Sequence, residues 1–498
     1  MTVKGKSVKI ILTMAVIVCM LFPQWVLAAD TSQSSDMDYL KSVMDMIKEK
    51  YNGEVTDQQL LNGALKGMFA TMDPWTEFYT PSEATSFMNQ IQGSYTGIGV
   101  SMSKVGDYIV IAKVFAASPA EKAGLLSGDE IVSVDGKSLT GSSTDDAASL
   151  ILGQDGTKVT LGIVKSGKTD ATNVEITRAE IETDPVTYEI RDGIGYIKLE
   201  EFTMNAYDGI TKALAAMDKN GIKKIVLDLR NNPGGEVSQA VEIARDFVPA
   251  GLITKLDFKS EDIKDTEYYS YLKQPKYKLA VLVNENSASA SEIFSGAVQD
   301  TKAGTLVGTK TYGKARVQNV LPILTQEAYA KYEKQLGVKV VDAYELETKY
   351  NVTFQDDEII GWTKITTGQY TTPKGRMIDK KGLEPDVFVD DYKVTNDVDV
   401  NSIEKLGKTS KVGLDGENLD VYNAEKILKL LGYDVDSPDM KLDEKTFEAI
   451  GKFQKENGMF PCGVLDFTTQ QALNAKLDTL IMGIDGQYEK AVEILNNN

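Results

Sequence analysis

Histidine is absent from all 498 positions of this chain. That absence excludes the Ser-His-Asp arrangement, histidine-ligated zinc hydrolases and any imidazole general base. Base chemistry is left to lysine or a carboxylate. Cysteine is almost absent as well, at Cys19 and Cys462 alone. Cys19 lies inside an amino-terminal apolar run, so a processed chain would retain Cys462 only and could form no internal disulfide. A lone thiol of this kind reads as a small apolar filler. Positive charge is scarce, with 54 Lys and Arg against 73 Asp and Glu and a formal net charge of −19. Such acidity opposes nucleic acid and anionic membranes as partners and favours solubility. No low-complexity tract occurs, and an apolar fraction of 42% argues against wholesale disorder. A chain of this length is expected to hold about three domains.

The amino terminus stands apart. Lys4, Lys6 and Lys9 precede the apolar stretch Ile10 to Phe22, followed by Pro23 and the small-residue close V-L-A-A at 26–29. This order predicts a secretory signal cleaved after Ala28 or Ala29; the alternative is an uncleaved anchor from Val8 to Ala29. Loss of those three lysines would take the formal charge from −19 to −22.

Residues 30–92 read as helical, with Leu40, Val43, Met44 and Ile47, then Leu60, Leu61, Ala64, Leu65 and Met68, at three- and four-residue spacing. Met72-Asp73-Pro74-Trp75 interrupts before a short helix after Pro81. Residues 93–168 change to short β-rich runs between glycine turns, with one helix near Thr144 to Leu152. From 169 to 400 strand and helix alternate. K-I-V-L-D-L (224–229) leads into R-N-N-P-G-G and a helix, and L-A-V-L-V (279–283) leads into a serine loop and a helix. Repeated strand–loop–helix units place functional loops at the carboxyl ends of strands in a layered α/β domain. A compact helical module follows at 413–478, then a short tail at 479–498. The fold expected is multidomain α+β, with a layered α/β core flanked by a β-rich insert, amino-terminal helices and a small three-helix module.

The serine loop, N-E-N-S-A-S-A-S-E-I at 284–293, is the candidate site. Ser289 with Glu292 three residues on has the capping-box spacing, so its plainest reading is a helix N-cap. A nucleophile at a helix start is compatible with that, because the positive helix end favours a developing oxyanion. Lys314, in T-Y-G-K-A-R-V-Q-N-V, is the candidate base. A lysine serves only when neutral, and burial lowers its pKa. Gln318 could accept a hydrogen bond from the amine and orient it. On a straight strand the two would stand about 13 Å apart, so their pairing requires the backbone to bend between them.

These residues resemble the carboxyl-terminal processing peptidases, or tail-specific proteases. That family has a nucleophile in an S-A-S-A-S-E loop, a lysine twenty-five residues later and a glutamine four residues after that. Ser289, Lys314 and Gln318 stand in that register. L-D-L-R-N-N-P-G-G (227–235) is similar to the family's oxyanion loop, which implies that role for the Gly235 N–H beside that of Ala290. T-T-G-Q-Y-T-T-P-K-G-R (366–376) and G-L-E-P-D-V (382–387) match as well. The resemblance implies a serine endopeptidase with a Ser-Lys dyad on a core of the crotonase or Clp-protease type, needing no metal or organic cofactor. It also implies that the β-rich module is a PDZ domain, with G-I-G-V (Gly97, Ile98, Gly99, Val100) as the loop that binds a peptide's terminal carboxylate.

Two positions depart from the family. Ala315 stands where glycine is usual, and Leu152 where arginine is common; residues 324–361 look like an insertion. K-I-L-K-L-L-G-Y (426–433) and T-F-E-A-I-G-K-F-Q-K-E-N-G (446–458) resemble a peptidoglycan-binding domain. The partners implied are proteins or peptides with free C-termini, and peptidoglycan. The amino-terminal helices either form a homodimer, as in some relatives, or pack on their own domain. An inactive PDZ and cell-wall scaffold is the rival reading, and a cell-wall hydrolase with paired carboxylates ranks below it.

Overall fold

A computed structural model describes residues 36–497, apart from 166–167, 169, 338–341, 391–397, 399 and 409. The export segment expected at 1–29 lies outside the described residues. The chain forms two compact units, residues 1–68 and 69–498. The first holds α1 (Asp36–Lys50) and nearly all of α2 (Asp57–Phe69). Lys48 and Asp57 pair across their junction at 2.8 Å. No residue of α2 is buried, and Tyr39, Leu40, Met46 and Leu61 are exposed.

The second unit begins with β1 (Glu77–Tyr79) and α3 (Pro81–Gln92), whose N-cap Thr80 forms a capping box with Glu83. A β-rich body follows. It contains β2 (Ser94–Gly97), β3 (Val100–Val105), β4 (Tyr108–Val114), α4 (Pro119–Lys122), β5 (Glu130–Val134), β6 (Lys137–Ser138), α5 (Thr144–Ile151), β7 (Lys158–Val164) and β8 (Ala171–Thr177). Its sheet runs β3-β4-β5-β7-β8, with β6 beside β5. β8 carries this sheet beyond residue 168, where the sequence pattern suggested its end. The edge strand A-T-N-V-E-I-T buries Ile176 and packs Val174 against the core while its polar residues face outward. A two-stranded ribbon of β2 and β9 (Ala179–Glu182) joins this body to the rest.

The layered core comprises β10 (Val186–Arg191), β11 (Ile194–Leu199), α6 (Ala206–Lys219), β12 (Lys224–Asp228), α7 (Val237–Phe247), β13 (Gly251–Phe258), β14 (Thr266–Ser270), β15 (Lys278–Val283), α8 (Ala290–Thr301), β16 (Gly304–Gly308), β17 (Arg316–Leu324), α9 (Gln326–Leu336), α10 (Ala343–Tyr350), β18 (Ile359–Thr371) and β19 (Val387–Phe388). The main sheet has the order β10-β11-β12-β15-β16-β19 and is parallel from β11 onward. Continuous apolar strands are what a sheet covered on both faces requires. Ile225, Leu227, Val281 and Val283 pack with the α6, α7 and α8 residues Ile210, Ile243 and Phe294. Val226, Ala280 and Leu282 face the other way.

That second face is covered from the end of the chain. The last module holds α11 (Leu419–Leu430), α12 (Glu444–Glu456) and α13 (Phe467–Ile484), and α14 (Gly486–Asn497) follows. Tyr488, Ala491 and Leu495 of α14 are buried against Val226, Ala280 and Leu282. The segment read from sequence as a tail thus forms a layer of the core. A second sheet of β1, β18, β13 and β14, with β17 on β18, lies beside the main one. The insertion supplies α9 and α10, which bury Tyr332 and Leu346 in a small cluster of their own with Leu324.

Candidate active site

β12 and β15 are parallel neighbours, so the loops leaving their carboxyl ends lie side by side. Asparagine side chains stitch them together. Asn284 Oδ1 accepts the Asn231 N–H at 2.9 Å, and Asn284 Nδ2 donates to Asn231 Oδ1 at 2.9 Å. Asn232 Oδ1 accepts the Gly234 N–H at 2.9 Å while its Nδ2 donates to Leu199 O at 2.8 Å. The glycine turn is therefore held at both ends.

Two of the three loop serines are consumed by this scaffold. Ser287 Oγ donates to Leu229 O at 2.8 Å and Ser291 Oγ to Asn232 O at 3.0 Å, and both residues are fully buried. Ser289 is only half-buried, at φ 54° and ψ −114°. That conformation is strained for a residue with a side chain, and such strain clusters at functional positions. A Cβ on Gly234, whose φ is +108°, would lie 2.7 Å from Ser289 Cβ and 2.8 Å from Ala288 O. Only glycine lets the two loops approach this closely. The N–H groups of Gly235 and Ala290 have no acceptor among the described residues. Two unsatisfied donors beside a half-buried hydroxyl at a helix start are suited to receive an oxyanion.

Glu292 does more than cap its helix. It is fully buried, and its Oε2 accepts the Ser289 N–H at 3.0 Å and the Lys314 N–H at 2.8 Å. Its Oε1 accepts Thr311 Oγ1 at 2.6 Å and the Gly313 N–H at 2.8 Å. Burial pushes its pKa up and these bonds oppose the rise. The Tyr370 hydroxyl, also buried, donates to Ser289 O at 3.0 Å and to Lys314 O at 2.9 Å. Two side chains thus tie the backbones of residues 289 and 314 together.

Lys314 is half-buried. Among the described residues its Nζ forms no hydrogen bond or ion pair, and it lies 5.5 Å from the centroid of the Trp75 ring. Burial lowers its pKa first, the charge of Lys364 lowers it further, and Asp73, Glu77 and Glu292 act in the opposite sense. Ala315 does not have a positive φ. It is buried and its carbonyl accepts the Tyr370 N–H at 3.1 Å, so alanine fits where the family has glycine.

Gln318 lies on β17 after a register shift between Val317 and Gln318, and Lys314 precedes that strand. The straight-strand separation therefore does not apply. Gln318 Nε2 donates to Thr366 Oγ1 at 3.2 Å, and the Thr366 N–H donates to Thr76 Oγ1 at 3.1 Å. Neither a Ser289–Lys314 nor a Lys314–Gln318 side-chain hydrogen bond is formed. Sequence reasoning missed Glu292 as a bridge, Tyr370, and the turn Asp73-Pro74-Trp75-Thr76. The turn reaches the site because β1 pairs with β18.

In the β-rich body, Ile98 is buried in its core and the Ile98 and Gly99 N–H groups have no acceptor among the described residues. A Cβ on Gly99, at φ +81°, would fall 2.3 Å from Ser118 Cβ. The loop opens onto β3, an edge strand, which can accept an added strand. Leu152, 44% exposed, stands beside Gly97.

Comparison with known proteins agrees with this anatomy. Residues 193–389 match Peptidase family S41, 110–165 a PDZ domain, 417–473 a putative peptidoglycan binding domain, and 25–82 the activating protease CtpB N-terminal domain. A probable CtpA-like serine protease of Staphylococcus aureus (strain COL) is 30% identical over 470 residues, covering 93% of this chain and 86% of that protein. The carboxy-terminal processing protease CtpA of Bacillus subtilis (strain 168) is 31% identical over 468 residues, covering 93% and 90%. The solved photosystem II D1 C-terminal processing protease shows 27% identity and a TM-score of 0.39, over 70% of this chain and 86% of that one. A mixed α/β core carrying a PDZ domain defines a serine protease of the carboxy-terminal processing class. The chain belongs to peptidase family S41.

Proposed function

We propose that the protein is an exported endopeptidase in which Ser289 is the nucleophile and Lys314 the general base. Neutral Lys314 Nζ takes the Ser289 Oγ proton as Oγ attacks a peptide carbonyl carbon. The Gly235 and Ala290 N–H groups receive the oxyanion. The C–N bond then breaks, the leaving amine takes the proton from the Lys314 ammonium, and water hydrolyses the acyl-serine with Lys314 again as base. Gln318, held by Thr366, orients the amine once Lys314 leaves the Trp75 face. The observation that carries this reading is the double tie of Glu292 and Tyr370 between residues 289 and 314, with Ser287 and Ser291 already used as scaffold. A structural N-cap needs neither tie.

Substrates are proteins whose free C-termini enter through the Gly97-Ile98-Gly99-Val100 loop, supported by its two unpaired N–H groups. The signal at 1–29 would place the enzyme outside the cytoplasm, and the last module would bring it to peptidoglycan. The exposed apolar residues of α1 and α2 support a homodimer through those helices, which sedimentation of a chain lacking them would test.

The test is cleavage of an unstructured protein bearing a free or an amidated apolar C-terminus. The parent should cleave the free form faster, and Ser289→Ala and Lys314→Ala should cleave neither. Cleavage by all three forms would refute the dyad. A PDZ scaffold without activity has one observation on its side, the unengaged Lys314 amine. However, catalytic hydrogen bonds are often loose without substrate, and cleavage by none of the forms would favour the scaffold.

A further inference from the structure

β4 carries an oddity for a strand in a one-layer β-rich domain: Ile109, Val110, Ile111 and Ala112 are all buried. Successive side chains point to opposite faces, so both faces of this sheet must be covered. Ile109 and Ile111 enter the PDZ core. Val110 and Ala112, with Val105, form a separate cluster with Leu419, against which Tyr422 and Met440 pack. Leu419 is the first residue of α11, capped by Asn418, and the Asn418 N–H donates to Met440 O at 2.9 Å. The last module is therefore seated on the outer face of the PDZ sheet. Crevices of about 650 Å³ and 440 Å³ flank the seat. Glu130, Glu417, Lys168 and Lys441 line the larger crevice, so charges of both signs rim an apolar centre.

The same module is fastened to the protease core. α13 leads into Asp485, whose carboxylate accepts Arg230 Nη1 at 3.0 Å and Nη2 at 2.9 Å. Arg230 also pairs with Asp228 at 2.6 Å, and all three residues are buried. α14 then covers the core sheet. The chain link between the PDZ domain and the core is the slender ribbon of β2 and β9.

We infer that the carboxy-terminal module is a brace acting within the chain: by docking Leu419 and Met440 on the outer face of the PDZ sheet, it fastens that domain to the protease core. The PDZ domain can turn about its ribbon only after this contact opens. The proposal goes beyond the protease reading and does not depend on it, because its test is structural. It assigns the module a docking surface whose partner is this chain's own PDZ sheet.

The experiment uses the full chain with Cys19 and Cys462 changed to serine and spin labels on cysteines placed at the exposed positions Lys137 and Lys212. Pulsed electron resonance should give one narrow distance in the parent. Leu419→Asp and, separately, Met440→Glu should broaden it or add a second population, while amide exchange in Tyr108–Val114 rises about tenfold or more. Adding Ala112→Lys to Leu419→Asp should restore the narrow distance by pairing charges across the seat. A parental distance in both variants, despite faster exchange in β4, would overturn the brace. Unchanged protection of β4 in both variants would overturn it too, since the face would then be covered without the docked pair.

Discussion

Tyr370→Phe is the smallest perturbation that probes how residues 289 and 314 are held together. The ring is buried and stays in place; one hydroxyl is lost. Ser289 O keeps its bonds from the Glu292 and Ile293 N–H groups, so it is not orphaned. Lys314 O loses the partner it has among the described residues. One hydrogen bond contributes about 1 kcal/mol net and a buried unsatisfied carbonyl costs about 1–3 kcal/mol, so the change should total roughly 2 kcal/mol. If that restraint acts in the transition state, kcat should fall about thirtyfold at 1.36 kcal/mol per decade, with KM little changed. Steady-state cleavage of an unstructured protein measures both. A kcat within threefold of the parent would refute the claim that Tyr370 sets the geometry of the pair.

Activity should rise with pH as Lys314 loses its proton, with a midpoint below the ordinary lysine value because burial and Lys364 lower it. Lys364→Met removes a positive neighbour and should move the midpoint of the kcat/KM profile up; Glu77→Gln removes a negative one and should move it down. Gly234→Ala would force a Cβ to 2.7 Å from Ser289 Cβ at φ +108°, so cleavage should fall at least a hundredfold, while circular dichroism stays near the parent's. Truncation after Ile484 would remove Asp485 from Arg230 and uncover Val226, Ala280 and Leu282. The truncated chain should bind a hydrophobic dye and aggregate on heating well before the parent does.

Much of this architecture was legible in the sequence because it is written in local pattern. K-I-V-L-D-L and L-A-V-L-V are unbroken apolar runs, and only a sheet covered on both faces asks for them. The S-A-S-A-S-E loop and the lysine and glutamine spacings pointed to Ser289, Lys314 and Gln318; Glu292 and Tyr370 tie the backbones of the first two together, while Gln318 lies on β17 with its side chain on Thr366. What escaped reading depends on contacts across long stretches of chain. Trp75 reaches Lys314 from the far side of the PDZ domain through the pairing of β1 with β18. Tyr370 stood in a motif that matched the family, but nothing local says that its hydroxyl bridges two carbonyls. Glu292 read as a helix cap, which it is; its bonds to Thr311, Gly313 and Lys314 required the lysine loop to fold back over it. The role of α14 was equally hidden, since an amphipathic helix does not announce which face of which sheet it covers.

The most direct test of the central claim is to treat the chain with a serine-directed fluorophosphonate across rising pH and locate the adduct by mass spectrometry. The account predicts one adduct, on Ser289, forming faster as pH rises and lost in Lys314→Ala. An adduct on Ser287 or Ser291, or proteolysis that persists with Ser289 unmodified, would contradict it.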